Sequence, residues 1–227
     1  MSVAAKKRVM RDKIKHPNNP WLWDYQWRRT GISEKKGRKV FQLFVAITVF
    51  AVFLAPFNWW AFFSKDSHAL VKFITCIFDV CVLLGAGNAF YKLFQFIKYG
   101  NSHIRFSGFP YFLGESMALT LDGMPDQLDK LQLNLRYIEE AYETTGHGKN
   151  SSTRVVGYEL FGKERILSGK EIVSSKRFSM NWTLPENQAM VTRLSSQPLR
   201  YWQLEVKADT PGIDYHSRFL LPVYAKP

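Results

Sequence analysis

The sequence predicts a membrane α-helical hairpin followed by an all-β C-terminal domain, an antiparallel two-sheet sandwich. Three observations predict it. Two long apolar runs lie between residues 40 and 91, separated by a five-residue polar spacer. Positive charge is crowded at one end: residues 1–39 carry 12 Lys/Arg against 3 Asp/Glu, whereas residues 101–227 carry 15 against 14. After residue 108, six short segments alternate apolar and polar side chains between turn residues. The mean hydropathy of −0.19 and the net charge of +12 conceal this division. A near-neutral C-terminal half argues against a basic nucleic-acid-binding domain, which spreads its charge over a folded face. Two cysteines are too few for a disulfide-built secreted scaffold.

The basic, Trp-rich arm covers residues 1–39 and is expected on the cytoplasmic side or at the interface. Its first fifteen residues hold six Lys/Arg, with Val9, Met10 and Ile14 at roughly helical spacing. Pro17 and Pro20 break any helix there. Trp21, Trp23, Tyr25 and Trp27 then crowd together before Arg28 and Arg29. One reading places the indoles at lipid headgroup level, with Lys6, Lys7, Arg8, Arg11, Arg28 and Arg29 on anionic lipid, each cation contributing about 1 kcal/mol. The other packs the tryptophans on the C-terminal domain and leaves the charges to fix topology. Nucleic-acid binding by the arm is a lesser alternative.

Residues 40–63 hold no charge in 24 positions. About 20 helical residues cross the ~30 Å hydrocarbon core, so this run is the first transmembrane helix. Pro56 predicts a kink or an early end, with Asn58, Trp59 and Trp60 forming an interfacial belt. Residues 64–68 form the external loop. A second helix covers 69–91, and the short spacer makes the two antiparallel neighbours. Residues 92–107 form a cytoplasmic connector. Cations flank the hairpin at its two ends and are sparse at its tip, so both termini are expected in the cytoplasm. The sequons at Asn150 and Asn181 should then carry no glycan.

Asp79, near the middle of the second helix, costs about 2.5–3.5 kcal/mol to insert and should face protein. Lys72, Thr48, Gln42 or a partner protein are its candidate contacts. Gly85 and Gly87 form a small-residue patch that allows close helix approach. Asp79, Lys72, Gly85 and Gly87 are therefore the candidate contacts with a membrane partner. Cys76 and Cys81 lie on different faces of this helix and read as buried, inert thiols.

The β domain, residues 108–227, has candidate strands at 117–121, 131–138, 158–161, 178–184, 201–208 and 215–224. In the last two, Trp202, Leu204 and Val206 share a face, as do Phe219, Leu221 and Val223. Pro211-Gly212 is a strong turn pair between them, with Asp214 placed to accept bonds from turn amides. The five histidines include no pair at metal-ligand spacing, so no metal and no cofactor is expected. The run Thr145–Ser151 lacks the glycine spacing of a phosphate loop. Glu139, Glu140 and Glu143 read as a solvated acidic surface.

The run from Tyr201 to Tyr224, with Trp202, Pro211, Gly212, Asp214, Phe219 and Pro222, resembles the last hairpin of arrestin-like β-sandwiches, which are immunoglobulin-like in architecture. With the arm Pro20-Trp-Leu-Trp-Asp-Tyr-Gln-Trp27 and the helical hairpin, the layout resembles bacterial membrane proteins of uncharacterised function. The resemblance implies an inner-membrane, multi-pass location, and it implies an architecture without an activity. The resulting expectation is a non-enzymatic protein whose β domain binds another protein in or at the inner membrane, as accessory subunit or assembly factor. Membrane lipids are the other expected partner, and self-association is open. A lipid or nucleic-acid binder acting through the arm is the alternative. A boundary enzyme near His103 and Arg105 is the least supported.

Overall fold

The computed structural model describes residues 3–65, 67–125, 127–146, 151–169, 172 and 177–227, with side chains from residue 9 onward. In chain order the elements are α1 (Val3–Lys15), a single 3-10 turn (Pro20–Leu22), β1 (Gly31–Ser33), α2 (Lys36–Phe63) and α3 (Ala69–Tyr99). They continue with β2 (His103–Phe106), β3 (Tyr111–Phe112), β4 (Ser116–Asp122), β5 (Lys130–Thr145) and β6 (Ser152–Ser168). The chain ends with β7 (Arg177–Thr183), β8 (Leu199–Asp209), β9 (Tyr215–Leu221) and β10 (Val223–Tyr224). Two compact units result. One is Lys35–Asn101, and the other joins Met1–Glu34 to Ser102–Pro227.

The first unit is the helical hairpin. Its helices are 28 and 31 residues long and apolar enough to cross a membrane. Only 11% and 6% of their most apolar windows is buried, whereas a soluble core helix would be mostly covered. The seam between them is aromatic and small. Phe44 meets Phe90 and Phe50 meets Phe78 edge-on, with ring centres 5.5 and 6.2 Å apart. Ala61 and Ala89 are fully buried. Pro56 does not end α2, which runs on to Phe63. α3 also outlasts its expected end at residue 91 and reaches Tyr99. The expected connector 92–107 is therefore helix as far as Tyr99, and its last part holds β2.

The second unit is β-rich. One antiparallel sheet has the order β1-β2-β4-β7 and another the order β6-β5-β8-β9; β10 and β3 form a parallel ribbon. Alternation sets which face is buried. Met117, Leu119 and Leu121 of β4 point inward, as do Leu131, Leu133 and Leu135 of β5, and all are at most 1% exposed. Trp202, Leu204, Val206 and Ala208 of β8 and Tyr215, Phe219 and Leu221 of β9 complete the core. The first 34 residues belong to this unit rather than to a separate arm. β1 pairs with β2 in the register Ile32↔Ile104. Gly31 is obligatory there: its φ is +141°, and a Cβ would lie 2.0 Å from the Ile104 carbonyl.

The second sheet carries a buried charge. Glu205 lies between the inward Leu204 and Val206, so it points to the opposite face, yet its side chain is only 1% exposed. Arg136 reaches it at 2.6 Å, His216 at 2.8 Å, Arg218 at 3.0 Å and Lys207 at 3.6 Å. Burial alone would raise its pKa. The hydrogen bonds from His216 and Arg218 and the charges of Arg136 and Lys207 outweigh that and hold the carboxyl at about 2. Burial lowers the pKa of His216 against the pull of Glu205, and the charges of Arg218 and Lys207 lower it further. Both shifts are downward. Their stabilisation is full above the unfolded values, fades below about 6.5 for His216 and falls away from about 4.5 toward 2 for Glu205. Thermal melts of the β unit, followed by near-UV circular dichroism in a nonionic detergent, should therefore show Tm falling as pH drops from 7 to 3. Glu205→Gln should lower stability at pH 7 by roughly 1.5–3 kcal/mol and flatten the segment below pH 4.5. A flat profile in the unsubstituted protein would refute the assignment.

Candidate functional site

The most elaborate local structure in the β-rich unit is the seat of the N-terminal segment. Its base is the loop 190–196, which the second sheet pins from below. The Trp202 indole N–H donates to the Met190 carbonyl at 2.6 Å, and the Tyr137 hydroxyl donates to the Val191 carbonyl at 3.0 Å. Arg193 and Arg200 exchange both backbone hydrogen bonds, at 2.6 and 3.0 Å. The Leu194 and Ser195 amides are left facing outward. On the other side Tyr224 is fixed by the ribbon, since Leu113 N–H donates to its carbonyl at 3.0 Å.

Asp24 closes this seat. Pro20 starts the tight turn, and the Trp23 and Asp24 amides both bond back to its carbonyl, at 3.1 and 2.8 Å. That turn delivers the Asp24 carboxylate, 6% exposed, to the loop. Oδ1 and Oδ2 each accept from Leu194 N–H at 2.9 Å, and Oδ1 accepts from Ser195 N–H at 2.8 Å. The Trp27 indole donates to the Tyr224 hydroxyl at 2.8 Å, which lies 3.4 Å from Asp24 Oδ2. Burial first, and then the Asp24 charge, push the Tyr224 phenol well above its ordinary pKa. Trp21 stands edge-on to Phe112 and Tyr224, at 5.7 and 5.9 Å. Trp23 donates its N–H to the His16 carbonyl at 3.0 Å.

These contacts show the packing that the second reading of the tryptophans expects, and the two readings are compatible. Trp21, Trp23 and Trp27 are half-buried on the β-rich unit, and the indole N–H groups of Trp23 and Trp27 are bonded within it. Of the cations grouped with them, Arg11, Arg28 and Arg29 are exposed, while the side chains of Lys6, Lys7 and Arg8 lie outside the described residues. Asp24 lies within the Trp motif, and its role is not legible from the sequence.

Beside this seat lies a cleft of about 840 Å³. α1 walls it with Val9, Met10 and Lys13, and the opposite wall is Val191, Thr192, Arg193, Ser195 and Ser196 with the segment from Tyr224 onward. Lys13 sits 5.3 Å over the Trp23 ring.

In the hairpin, Asp79 finds a partner that sequence reading assigned elsewhere. Asn58 donates from Nδ2 to Asp79 Oδ1 at 2.8 Å, whereas it was expected in an interfacial belt beside Trp59 and Trp60. Trp59 and Trp60 are exposed, and Trp59 stacks on Phe63 at 4.7 Å. Lys72 is exposed and is not the partner given to Asp79. Gly85 faces the first helix, where a Cβ would meet Ile47 at 3.6 Å, while a Cβ on Gly87 would meet nothing within 4 Å. The small-residue patch is thus divided between the seam and the open surface. Cys76 and Cys81 are exposed on the helix, not buried as expected.

Elsewhere the final hairpin matches its reading. Gly212 takes φ +86°, and Asp214 accepts from Thr210 N–H at 3.3 Å. Trp202, Phe219 and Pro222 are buried, and the Pro222 carbonyl accepts from Tyr111 N–H at 3.0 Å. The acidic cluster is not simply solvated: Glu139 binds Arg200 at 2.5 Å, Glu140 accepts from Tyr201 at 2.6 Å, and Glu143 binds Arg154 at 3.0 Å. His103 meets Ser33 at 2.7 Å, and Arg105 pairs with Asp122. His147–Asn150, which hold the core of the phosphate-loop-like run and the first sequon, lie outside the described residues.

Asp24→Ala would leave the part-buried Leu194 and Ser195 amides without their acceptor, at a cost of roughly 1 kcal/mol. Trypsin should then cut at Arg28 or Arg29 several-fold faster than in the unsubstituted chain; an unchanged rate would show that the carboxylate does not hold the segment. In the hairpin, a double-mutant cycle of Asn58→Leu and Asp79→Leu should give a coupling of about 0.6–1.7 kcal/mol, measured by unfolding the full chain in detergent. Additive effects would mean the pair contributes no mutual stabilisation.

No family profile matches the chain, and no curated protein matches it in sequence. Among solved structures, Spo0M, a sporulation control protein from Bacillus subtilis, is similar to 56% of this chain, with 14% sequence identity and a TM-score of 0.35. The chain spans about half the length of that protein, 49%.

Proposed function

We propose that this chain is a non-enzymatic inner-membrane protein, anchored by its helical hairpin with both termini in the cytoplasm. Its β domain is an arrestin-like sandwich that binds another protein, as accessory subunit or assembly factor of a membrane complex. The anchor reading is supported by two long helices whose apolar surface is left uncovered and whose acidic residue is paired within the hairpin.

The observation that carries the binding reading is β6. It is 17 residues long and forms the edge of its sheet, paired among the described residues with β5 alone. Val155, Tyr158, Leu160 and Ile166 on it are all more than 40% exposed. β5 and β6 also continue beyond the reach of β8: the β5–β8 ladder stops at Glu140, while the β5–β6 ladder runs to Thr145. An exposed, partly apolar edge is what proteins usually blunt. Left open, it offers a row of backbone donors and acceptors to an added strand, a recurring mode of protein recognition.

The test is purification of the tagged full chain from its native membrane in mild detergent, with mass spectrometry of co-purifying proteins. Val155→Lys/Leu160→Lys/Ile166→Lys and Asp79→Leu versions would run beside it. A stoichiometric partner lost from the β6 version, at unchanged melting temperature, is the expected outcome. Loss only from Asp79→Leu would move the contact to the hairpin, and a solitary protein in every sample would refute partner binding.

A further inference from the structure

We propose that the cleft between α1 and the 191–196 loop binds a phosphate-bearing amphiphile, a phosphate ester with an apolar body. Its volume of about 840 Å³ lies within the range of small-ligand sites and far exceeds what a bare phosphate needs. Among the described residues three cations line it: Lys13, Arg193 and Lys226. Among the described lining residues Asp24 is the carboxylate side chain; its oxygens are taken up by the Leu194 and Ser195 amides, its charge offsets one of the three cations, and the lining side chains keep a net positive charge. Lys226 does bond Glu115 at 3.1 Å, but both side chains are largely exposed and such a pair is weak. Arg193 is the best-placed of the three to act as a fixed anion receptor. Its backbone is locked to Arg200 through both hydrogen bonds, while its guanidinium is exposed and suited to a phosphate's oxygens.

The other described lining side chains are apolar or neutral. Val9, Met10, Pro20 and Val191 offer surface to an apolar body. Trp23 has its N–H committed to His16 and presents its ring beneath Lys13. Cations at the mouth and apolar walls behind them match a ligand with the same division. A lipid and a soluble phosphate ester share that chemistry.

The experiment follows the melting temperature of the full chain in an uncharged detergent at fixed ionic strength. The probes are inorganic phosphate, phenyl phosphate, dihexanoyl phosphatidic acid and, as an uncharged control, dihexanoylglycerol. A ligand at a hundredfold excess over its Kd should raise Tm by roughly 5 °C or more. Arg193→Ala/Lys13→Ala should weaken binding tenfold or more. Both residues are exposed, so the folded unit should survive, and Arg28→Ala/Arg29→Ala should leave the affinity unchanged. Response to phenyl phosphate supports the site with a soluble source, and response to dihexanoyl phosphatidic acid alone supports it with a lipid source. The proposal is overturned by no response to either, by an equal response to dihexanoylglycerol or inorganic phosphate, or by unaltered affinity in Arg193→Ala/Lys13→Ala.

Discussion

A carboxylate removed from water must be met by donors, and at Asp24 the donors are backbone amides of a loop 170 residues away in sequence. The β-rich unit depends on this contact. Leu194 and Ser195 sit on a loop whose carbonyls satisfy the buried indole of Trp202 and the hydroxyl of Tyr137. The same loop then offers its amides to Asp24, so the polar groups of the core and of the surface segment are satisfied in series. Tyr224 and Trp27 extend the series to the C-terminal ribbon. Each member is placed by the one before it, which is why a nominal N-terminal arm becomes part of a folded unit.

In the proposed membrane setting the hairpin obeys the same rule in a harsher solvent. Lipid offers no hydrogen bond, so polar side chains there need protein partners: Asp79 has Asn58, and the Thr75 hydroxyl donates to the Val71 carbonyl at 2.7 Å. Asn58 lies two residues past Pro56, on a helix that continues through the proline to Phe63. That continuation puts the amide across the seam from Asp79. The rest of the seam is small residues and edge-on rings, leaving most of the apolar surface outside.

Much of this architecture was legible in the sequence, because long apolar runs and strict alternation are strong signals. The strands ending in Trp202–Ala208 and Tyr215–Leu221 follow directly from their period. The missing strands β1, β2 and β3 are two to four residues long, and their pairing is set by partners far along the chain. β6 was seen only at residues 158–161 because its exposed residues do not alternate. The site was half legible. The Pro-Trp-Leu-Trp motif stood out, but its aromatic content suggested a lipid interface, and nothing local indicated that Asp24 had amides waiting. Asn58 was hidden for a similar reason, since tryptophan neighbours made it look interfacial. The Glu205 cluster was invisible, as its cations come from three strands that only the sheet brings together.

β1 and β2 lie on either side of the helical hairpin in the chain and yet are hydrogen-bonded neighbours, Ile32 opposite Ile104. In the proposed membrane arrangement the sheet imposes a parity rule. Ile32 and Ile104 can meet only if the intervening chain crosses the bilayer an even number of times. A chain that inserted one helix and stranded the other would leave the two strands in different compartments, and Gly31 would have no Ile104 carbonyl to approach. Completion of the sheet thus acts as a check on insertion. It also sets an order of assembly, because β1 is synthesised before the hairpin and must wait for both helices before its partner strand exists.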